Sequence, residues 1–310
     1  MKLKVWLALW SVYIIWGSTY LAIRIAVETI PPFLMAAARM LAAGVILYAW
    51  MMASGAPKPT RREWKVTGVI GVFLLVGGNG LVTWSEQRLT SSVAAVIIGS
   101  MPLWIVLLDA IRPGGIKPHW LTVAGVLIGF LGIVILIDPF NLSQSSQSVD
   151  MIGALALVLA ALSWSIGSIY GRENHAQLPK TPLLVSGMEM LIGGLGLLLV
   201  GTLTGEWSRL NLAAISPNSL FALGYLIFFG SIIAFASFSW LLGAAPTPLV
   251  ATYAYVNPLV AIVLGNLIAQ EPISLRLIFS TLLIIGAVVL INMTLWLRSR
   301  RAASVQNTTI

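Results

Sequence analysis

Ten apolar stretches, each about as long as a bilayer-spanning helix, follow one another along this chain. A helix crosses the ~30 Å hydrocarbon layer with about 20 residues at 1.5 Å each. The runs lie at 5–27, 33–53, 66–84, 91–111, 119–137, 151–171, 182–203, 219–241, 249–269 and 275–297, and no connection between them is long enough to fold as a domain. Only 9% of residues are charged against 58% hydrophobic, whereas a soluble domain carries roughly 25% charged residues. That balance excludes a soluble enzyme, a disordered chain and a secreted disulfide module. With no cysteine and two histidines, no thiolate or histidine-rich metal centre is expected, and no cofactor or catalytic residue is predicted. The reading is an all-α integral membrane protein with ten transmembrane helices.

Lys2 and Lys4 precede the first run as a signal peptide's basic segment would. The run is too long for one and no A-x-A cleavage site follows, so it reads as an uncleaved first helix. With the N-terminus inside, Lys2, Lys4, Lys58, Arg61, Arg62, Lys65, Arg112, Lys117, Arg172, Lys180, Arg298, Arg300 and Arg301 fall on the inner side. Only Arg24, Arg88, Arg209 and Arg276 fall on the outer side. Basic residues collect on the cytoplasmic face, so both termini are predicted to be cytoplasmic. The net charge of +8 is then topological, and no nucleic-acid partner is expected.

The halves repeat one another. Pro32, Arg39, Met40, Leu41 and Gly44 match Pro182, Glu189, Met190, Leu191 and Gly194; Trp84, Ala95, Pro102 and Leu103 match Trp240, Ala251, Pro258 and Leu259; Gly132 matches Gly286. Five spans per repeat is an odd number, so the second half must enter the membrane in the opposite sense. The chain divides into a first repeat (1–138), a periplasmic Ser/Gln linker (139–150), a second repeat (151–297) and a cytoplasmic tail (298–310). Inverted repeats are typical of secondary transporters, with substrate held near the midplane between the halves.

The segment Leu89-Thr-Ser-Ser-Val-Ala-Ala-Val-Ile-Ile-Gly-Ser-Met-Pro-Leu-Trp104 resembles the fourth helix of the EamA branch of the drug/metabolite transporter superfamily. Pro248-Leu-Val-Ala-Thr-Tyr-Ala-Tyr-Val-Asn-Pro-Leu-Val-Ala-Ile-Val-Leu-Gly265, followed by Glu271-Pro-Ile, resembles its ninth, and Tyr13-Ile-Ile-Trp-Gly-Ser-Thr-Tyr20 is similar to the YedA-type members. The resemblance implies two five-helix repeats, a central cavity formed mainly by helices 1, 3, 4, 6, 8 and 9, and export or exchange of small metabolites without ATP. The first repeat departs from the pattern, with Arg112-Pro-Gly-Gly where the second has Gln270-Glu271-Pro-Ile. That leaves open whether Glu271 has a function or ends its helix. No G-x-x-x-x-G-K-[ST] phosphate loop is present, which excludes an ATP-driven pump within one chain.

Candidate site residues follow from polarity at membrane depth. Pro102 and Pro258 fall mid-span, where proline frees the carbonyl four residues back, at Ile98 and Ala254. Each reads either as a packing kink or, with Ser100 and Asn257 beside them, as part of a cavity lining. Trp16 (with Ser18 and Thr19) and Trp164 lie mid-span rather than at the interfaces, where Trp6, Trp50, Trp64, Trp120, Trp207 and Trp296 are expected. Either packing or substrate contact fits them, an indole offering a stacking face and one N–H donor. Tyr253 and Asn257 share a helix face that Tyr255 does not, and Asn79 sits in the flexible run Gly77-Gly-Asn-Gly80. Arg39 and Glu189 are the charges well inside spans, each costing about 2.5–3.5 kcal/mol or more at the bilayer centre. They enter from opposite faces, so no salt bridge between them is expected. Arg39 reads as snorkelling outward. Glu189 is a candidate proton-coupling carboxylate, against a hydrogen-bonded structural role.

The expected function is a secondary transporter exporting small metabolites such as amino acids across a bacterial plasma membrane by alternating access. Its partners are a small-molecule substrate and the lipid bilayer, with the chain acting as a monomer or homodimer. The alternatives are multidrug efflux and a non-transport membrane sensor or scaffold. Asp109 and Arg112 are expected to pair, and Gly125-x-x-x-Gly129 to serve either an internal contact or a dimer.

Overall fold

The computed structural model describes residues 3–112, 115, 118–138, 149–245 and 247–308, with backbone alone for 242–243, 247–248 and 295–308. The Ser/Gln linker from 139 to 148, with Pro113, Gly114 and Lys117 of the connection between the fourth and fifth spans, lies outside the described residues. Ten helices carry the fold: α1 (Leu3–Ala26), α2 (Pro32–Ala53), α3 (Arg61–Ser85), α4 (Ser91–Ile111), α5 (Trp120–Ile137), α6 (Met151–Glu173), α7 (Pro182–Leu203), α8 (Pro217–Leu241), α9 (Tyr253–Ala269) and α10 (Leu275–Thr294). Among the described residues, nine are long and apolar enough to span a bilayer, and α9 is shorter.

Several ends differ from the apolar runs, for local reasons. Helix α3 starts at Arg61, before the apolar run, because Thr60 and Glu63 form a reciprocal capping box that satisfies its first donors. Helices α2 and α7 begin with proline, Pro32 and Pro182, where the missing N–H costs nothing. The helix of α10 continues to Thr308, through the expected tail. At the other end of the chain's midpoint, Asp150 caps α6 by accepting from the Ile152 and Gly153 N–H groups. Slight burial pushes the Asp150 carboxyl up, but the Arg88 hydrogen bond and those two N–H groups outweigh it and hold the group below its ordinary range.

The two halves pack as an inverted pair. Helix α2 lies along α7 and α5 along α10, while α1 packs on α8 and α9 as α6 packs on α3 and α4. The α2–α7 contact is reciprocal in its details. A Cβ on Gly44 would meet the Leu191 backbone N at 2.9 Å, and one on Gly194 would meet Leu41 Cγ at 2.8 Å. Those are the residues paired by the sequence repeat, and a two-fold relation requires that if one contacts the other's mate, the reverse also holds. Gly125 and Gly129 approach Ile291 and Ala287 of α10, so this small-residue pattern serves a contact within the chain.

Large apolar side chains such as Leu127, Leu199, Leu203 and Leu282 project outward, as lipid-facing residues should. Trp6, Trp50, Trp120 and Trp207 are also exposed, in keeping with interfacial anchoring. Asp109 pairs with Arg112 at 2.7 Å and also receives Arg172 of α6 at 2.6 Å. Glu173 joins the cluster through Arg112, tying the two repeats together at the lysine- and arginine-rich end.

Candidate functional site

The third helix of each repeat contains a wide π-helical stretch, Val72–Gly80 in α3 and Leu226–Ile233 in α8. Widening leaves carbonyls that the ordinary i→i−4 ladder does not satisfy. The first helix of the opposite repeat supplies donors. Ser163 Oγ of α6 donates to the Phe73 carbonyl at 2.7 Å, and Trp16 Nε1 of α1 donates to the Gly230 carbonyl at 3.2 Å. The fourth helix of each repeat is also interrupted. In α4 the break falls at Gly99–Ser100, two residues before Pro102. In the second repeat it falls at Ala251–Thr252, six residues before Pro258, which sits inside regular helix α9. Tyr13 of α1 bonds the Thr252 hydroxyl at that interruption. Gly99 faces the Pro258 ring, with Cγ 3.1 Å from where a Cβ would stand.

These irregular stretches surround a central cavity of about 340 Å³. Of the residues singled out in the sequence, Trp16, Thr19, Asn79, Trp164, Tyr253 and Asn257 line it. Ser18 does not: its hydroxyl bonds the Ile15 carbonyl and the Tyr225 hydroxyl at 2.6 Å, holding α1 to α8. Ser100 does not either, being buried with its hydroxyl on the Ile97 carbonyl at 2.5 Å. Glu189 lies outside the lining, on the part of α7 against which Gly71 of α3 packs. Tyr255 turns to Asn292 of α10. The lining draws on α1, α3, α4, α6, α8 and α9, and on α2 as well, through Arg39 and Met40.

Arg39 is the largest departure from the sequence reading. It is 4% exposed and turned inward, its Nε donating to Ser231 Oγ at 2.9 Å on the π stretch of α8. Snorkelling is corrected: α8 offers a polar partner at the right depth, and an inward path avoids lipid altogether. Nη1 of Arg39 is buried without a partner, and so is Oδ1 of Asn79. Two residues of one cavity lining thus hold an unpartnered donor and an unpartnered acceptor, each a deficit of about 1–3 kcal/mol.

The rest of the wall is aromatic. Trp16 packs edge-on against Phe235 and Tyr253 at centroid distances of 5.2 Å, with Phe238 at 5.1 Å. Its N–H is committed to Gly230, so the ring surface is what it offers to the cavity. Asn257, in the amide orientation that satisfies its surroundings, donates to the carbonyls of Tyr253 (3.1 Å) and Tyr13 (3.3 Å). Sequence reasoning missed Tyr20, Phe235, Phe238 and the inward Arg39. The one available signal was the cost of a lone arginine within a span, which called for a partner but could not name Ser231.

A carboxyl group also sits just beyond the cavity. Glu86 follows the last turn of α3, one turn past the lining residue Val82, and is fully buried. Neither carboxylate oxygen has a hydrogen-bond partner. Arg24 donates to its backbone carbonyl. Glu271, by contrast, is fully satisfied: its oxygens accept from the backbone N–H and hydroxyl of both Ser91 and Ser92. It caps the start of α4 from the other repeat, which settles what the Gln270-Glu271-Pro-Ile segment does structurally.

The sequence matches the EamA-like transporter family over residues 3–138 and 151–293. The chain belongs to that family. It is 38% identical to the uncharacterized inner membrane transporter YedA of Escherichia coli (strain K12), covering 92% of this chain and 90% of that one. An uncharacterized transporter of Synechocystis is 26% identical over 86% of this chain and 83% of its own. A chloroplastic WAT1-related protein of Arabidopsis thaliana is 28% identical over 92% and 67% respectively. A crystal structure of a protein 21% identical superposes with a TM-score of 0.62, covering 94% of this chain and 96% of that chain, and so shares the fold. The protein is therefore a multi-pass inner membrane transporter of the EamA family, in the drug/metabolite transporter superfamily.

Proposed function

We propose that this EamA-family transporter exports small zwitterionic metabolites, amino acids with apolar or aromatic side chains foremost, by alternating access at the central cavity. The observation that carries the reading is that two residues of the cavity lining, Arg39 and Asn79, each hold a buried side-chain atom without a partner, Nη1 and Oδ1. A carboxylate completes the first by a charge-assisted hydrogen bond and an ammonium the second. The aromatic wall around Trp16 and Tyr253 takes the side chain. A phosphate ester fits poorly, since Arg39 is the lining's only cation among the described residues. The reading keeps both termini cytoplasmic, from the distribution of lysine and arginine.

Alternating access is supported by the reciprocal α2–α7 contact and by the interruptions in α3, α4 and α8, which give each half a place to flex. The test is transport by the purified chain in proteoliposomes with a panel of amino acids, with and without a proton gradient. Trp16→Ala, Asn79→Ala and Asn257→Ala should each lower transport at least tenfold. Normal transport by all three folded variants would remove the cavity from the mechanism.

A further inference from the structure

Packing sorts the cavity helices into two groups. One is α1 with α8 and α9, the other α6 with α3 and α4, and the pairs α2–α7 and α5–α10 flank them. The groups meet at the end nearest the Ser/Gln linker. There the first half of α4, Ser91–Ile98, packs on α1, α9 and α10 as well as on α6. One apolar cluster at that end joins Ile23 and Ala26 of α1 to Val82 of α3, Val96 of α4 and Leu226 of α8. At the end where α1 begins, the groups part. The second half of α4, Met101–Ile111, packs substantially, among the described residues, on α6 and α5 alone. The ion pairs there, Arg112 to Glu173 and Arg172 to Asp109, stay within α4 and α6. Accordingly the lining residues toward the linker, Ile23 and Val82, are buried, while Ile105, Ser168 and Phe238 at the other end are half-buried.

Glu271 is mounted on the first group and grips the second. Gln270 closes α9 in the left-handed conformation, φ 53°. The Glu271 N–H donates to the Gly265 carbonyl at 3.0 Å, and Asn266 Nδ2 donates to the Glu271 carbonyl at 2.9 Å. The residue therefore moves with α9, while its carboxylate holds Ser91 and Ser92 of α4. Gly265 makes room for it: a Cβ there would stand 2.5 Å from Glu271 Oε2 and 2.8 Å from Ser92 Oγ. Arg24 of α1, bonded to the Glu86 carbonyl, crosses the same divide.

We infer that this conformation is open toward the end where α1 begins, and that Glu271 is the latch of the opposite gate, its bonds to α4 breaking whenever the cavity opens toward the linker. This rests on the proposed alternating access and not on which substrate is carried. Opening the linker end must part α9 from α4, and the carboxylate cannot follow both. The first repeat has Arg112-Pro-Gly-Gly in place of the Glu271 segment, so no matching carboxylate holds the other gate. The latch thus biases the protein toward this conformation. With both termini cytoplasmic, as proposed, that is the state in which an exporter loads.

The experiment uses the full-length protein in right-side-out and inside-out vesicles, with a single cysteine at Val82 or Ser168 and a membrane-impermeant maleimide. The linker side is the one from which Ser145→Cys reacts. With Glu271 intact, Val82→Cys should react slowly from the linker side and Ser168→Cys readily from the other; the reverse pattern overturns the assigned conformation. Glu271→Ala should raise the first rate about tenfold and lower the second about twofold. Ser91→Ala with Ser92→Ala, which leaves the backbone bonds to Glu271, should move both rates the same way by less, and this variant decides the matter if Glu271→Ala does not fold. A purely structural cap would lower the unfolding midpoint and leave both rates unchanged, which overturns the latch while alternating access stands. Rates that rise together at both ends overturn alternating access, and the latch with it.

Discussion

Glu271 shows how a residue's role depends on a partner its own segment does not reveal. Its four hydrogen bonds come from Ser91 and Ser92, the first residues of α4 in the other repeat. The first N–H groups of a helix have no partner within it, and here the N-terminus is buried, so water cannot serve. Glu271→Ala would strand two backbone donors at about 1–3 kcal/mol each. Thermal unfolding in detergent should therefore show a large loss of stability, with Glu271→Gln intermediate because its amide keeps one acceptor oxygen. An unchanged midpoint for Glu271→Ala would refute the cap. Arg39 carries the same lesson. A lone arginine in an apolar run is visible as a cost, but whether it turns toward lipid or toward Ser231 depends on a helix 192 residues away. Glu86 was hidden for a different reason: it lies just past the apolar run that defined its span, among residues that read as surface.

The helices themselves were legible because a bilayer leaves one solution for most of the backbone. What escaped was their internal irregularity. Gly77-Gly-Asn-Gly80 marked the π stretch in α3, but the matching stretch Leu226–Ile233 holds one glycine in an apolar run and gave no signal. Repeat-related positions need not share a packing role either, and Gly132 and Gly286 make this measurable. A Cβ on Gly132 would stand 2.9 Å from Ile284 Cγ1 and 3.2 Å from the Ser280 carbonyl, whereas one on Gly286 meets nothing within 4 Å. Gly132→Ala must push α5 from α10 and should cost about 1–3 kcal/mol. Gly286→Ala should be neutral or stabilise by up to about 1 kcal/mol through helix propensity. Paired unfolding curves check this, and equal effects would mean that α5 and α10 do not meet as described.

At the scale of the molecule, the proposed mechanism needs one site reachable in turn from two sides, which an inverted pair of halves provides by exchanging conformations. The reciprocal seats of Gly44 and Gly194 supply the two-fold relation from contacts alone. They do not say which end faces the cytoplasm. The proposed orientation comes from charge: the α2–α3 connection and the C-terminal segment are rich in lysine and arginine, and the Ser/Gln linker carries neither. Because the chain has no cysteine, single replacements report position without background. In intact cells Ser145→Cys should react with a membrane-impermeant maleimide, while Lys58→Cys and Ser304→Cys should react only after the membrane is opened. Reaction of Ser145→Cys and Ser304→Cys from the same side would mean that the second half crosses an even number of times. The halves would then run in the same direction, and a cavity shared between them could not be exposed alternately by exchanging their conformations.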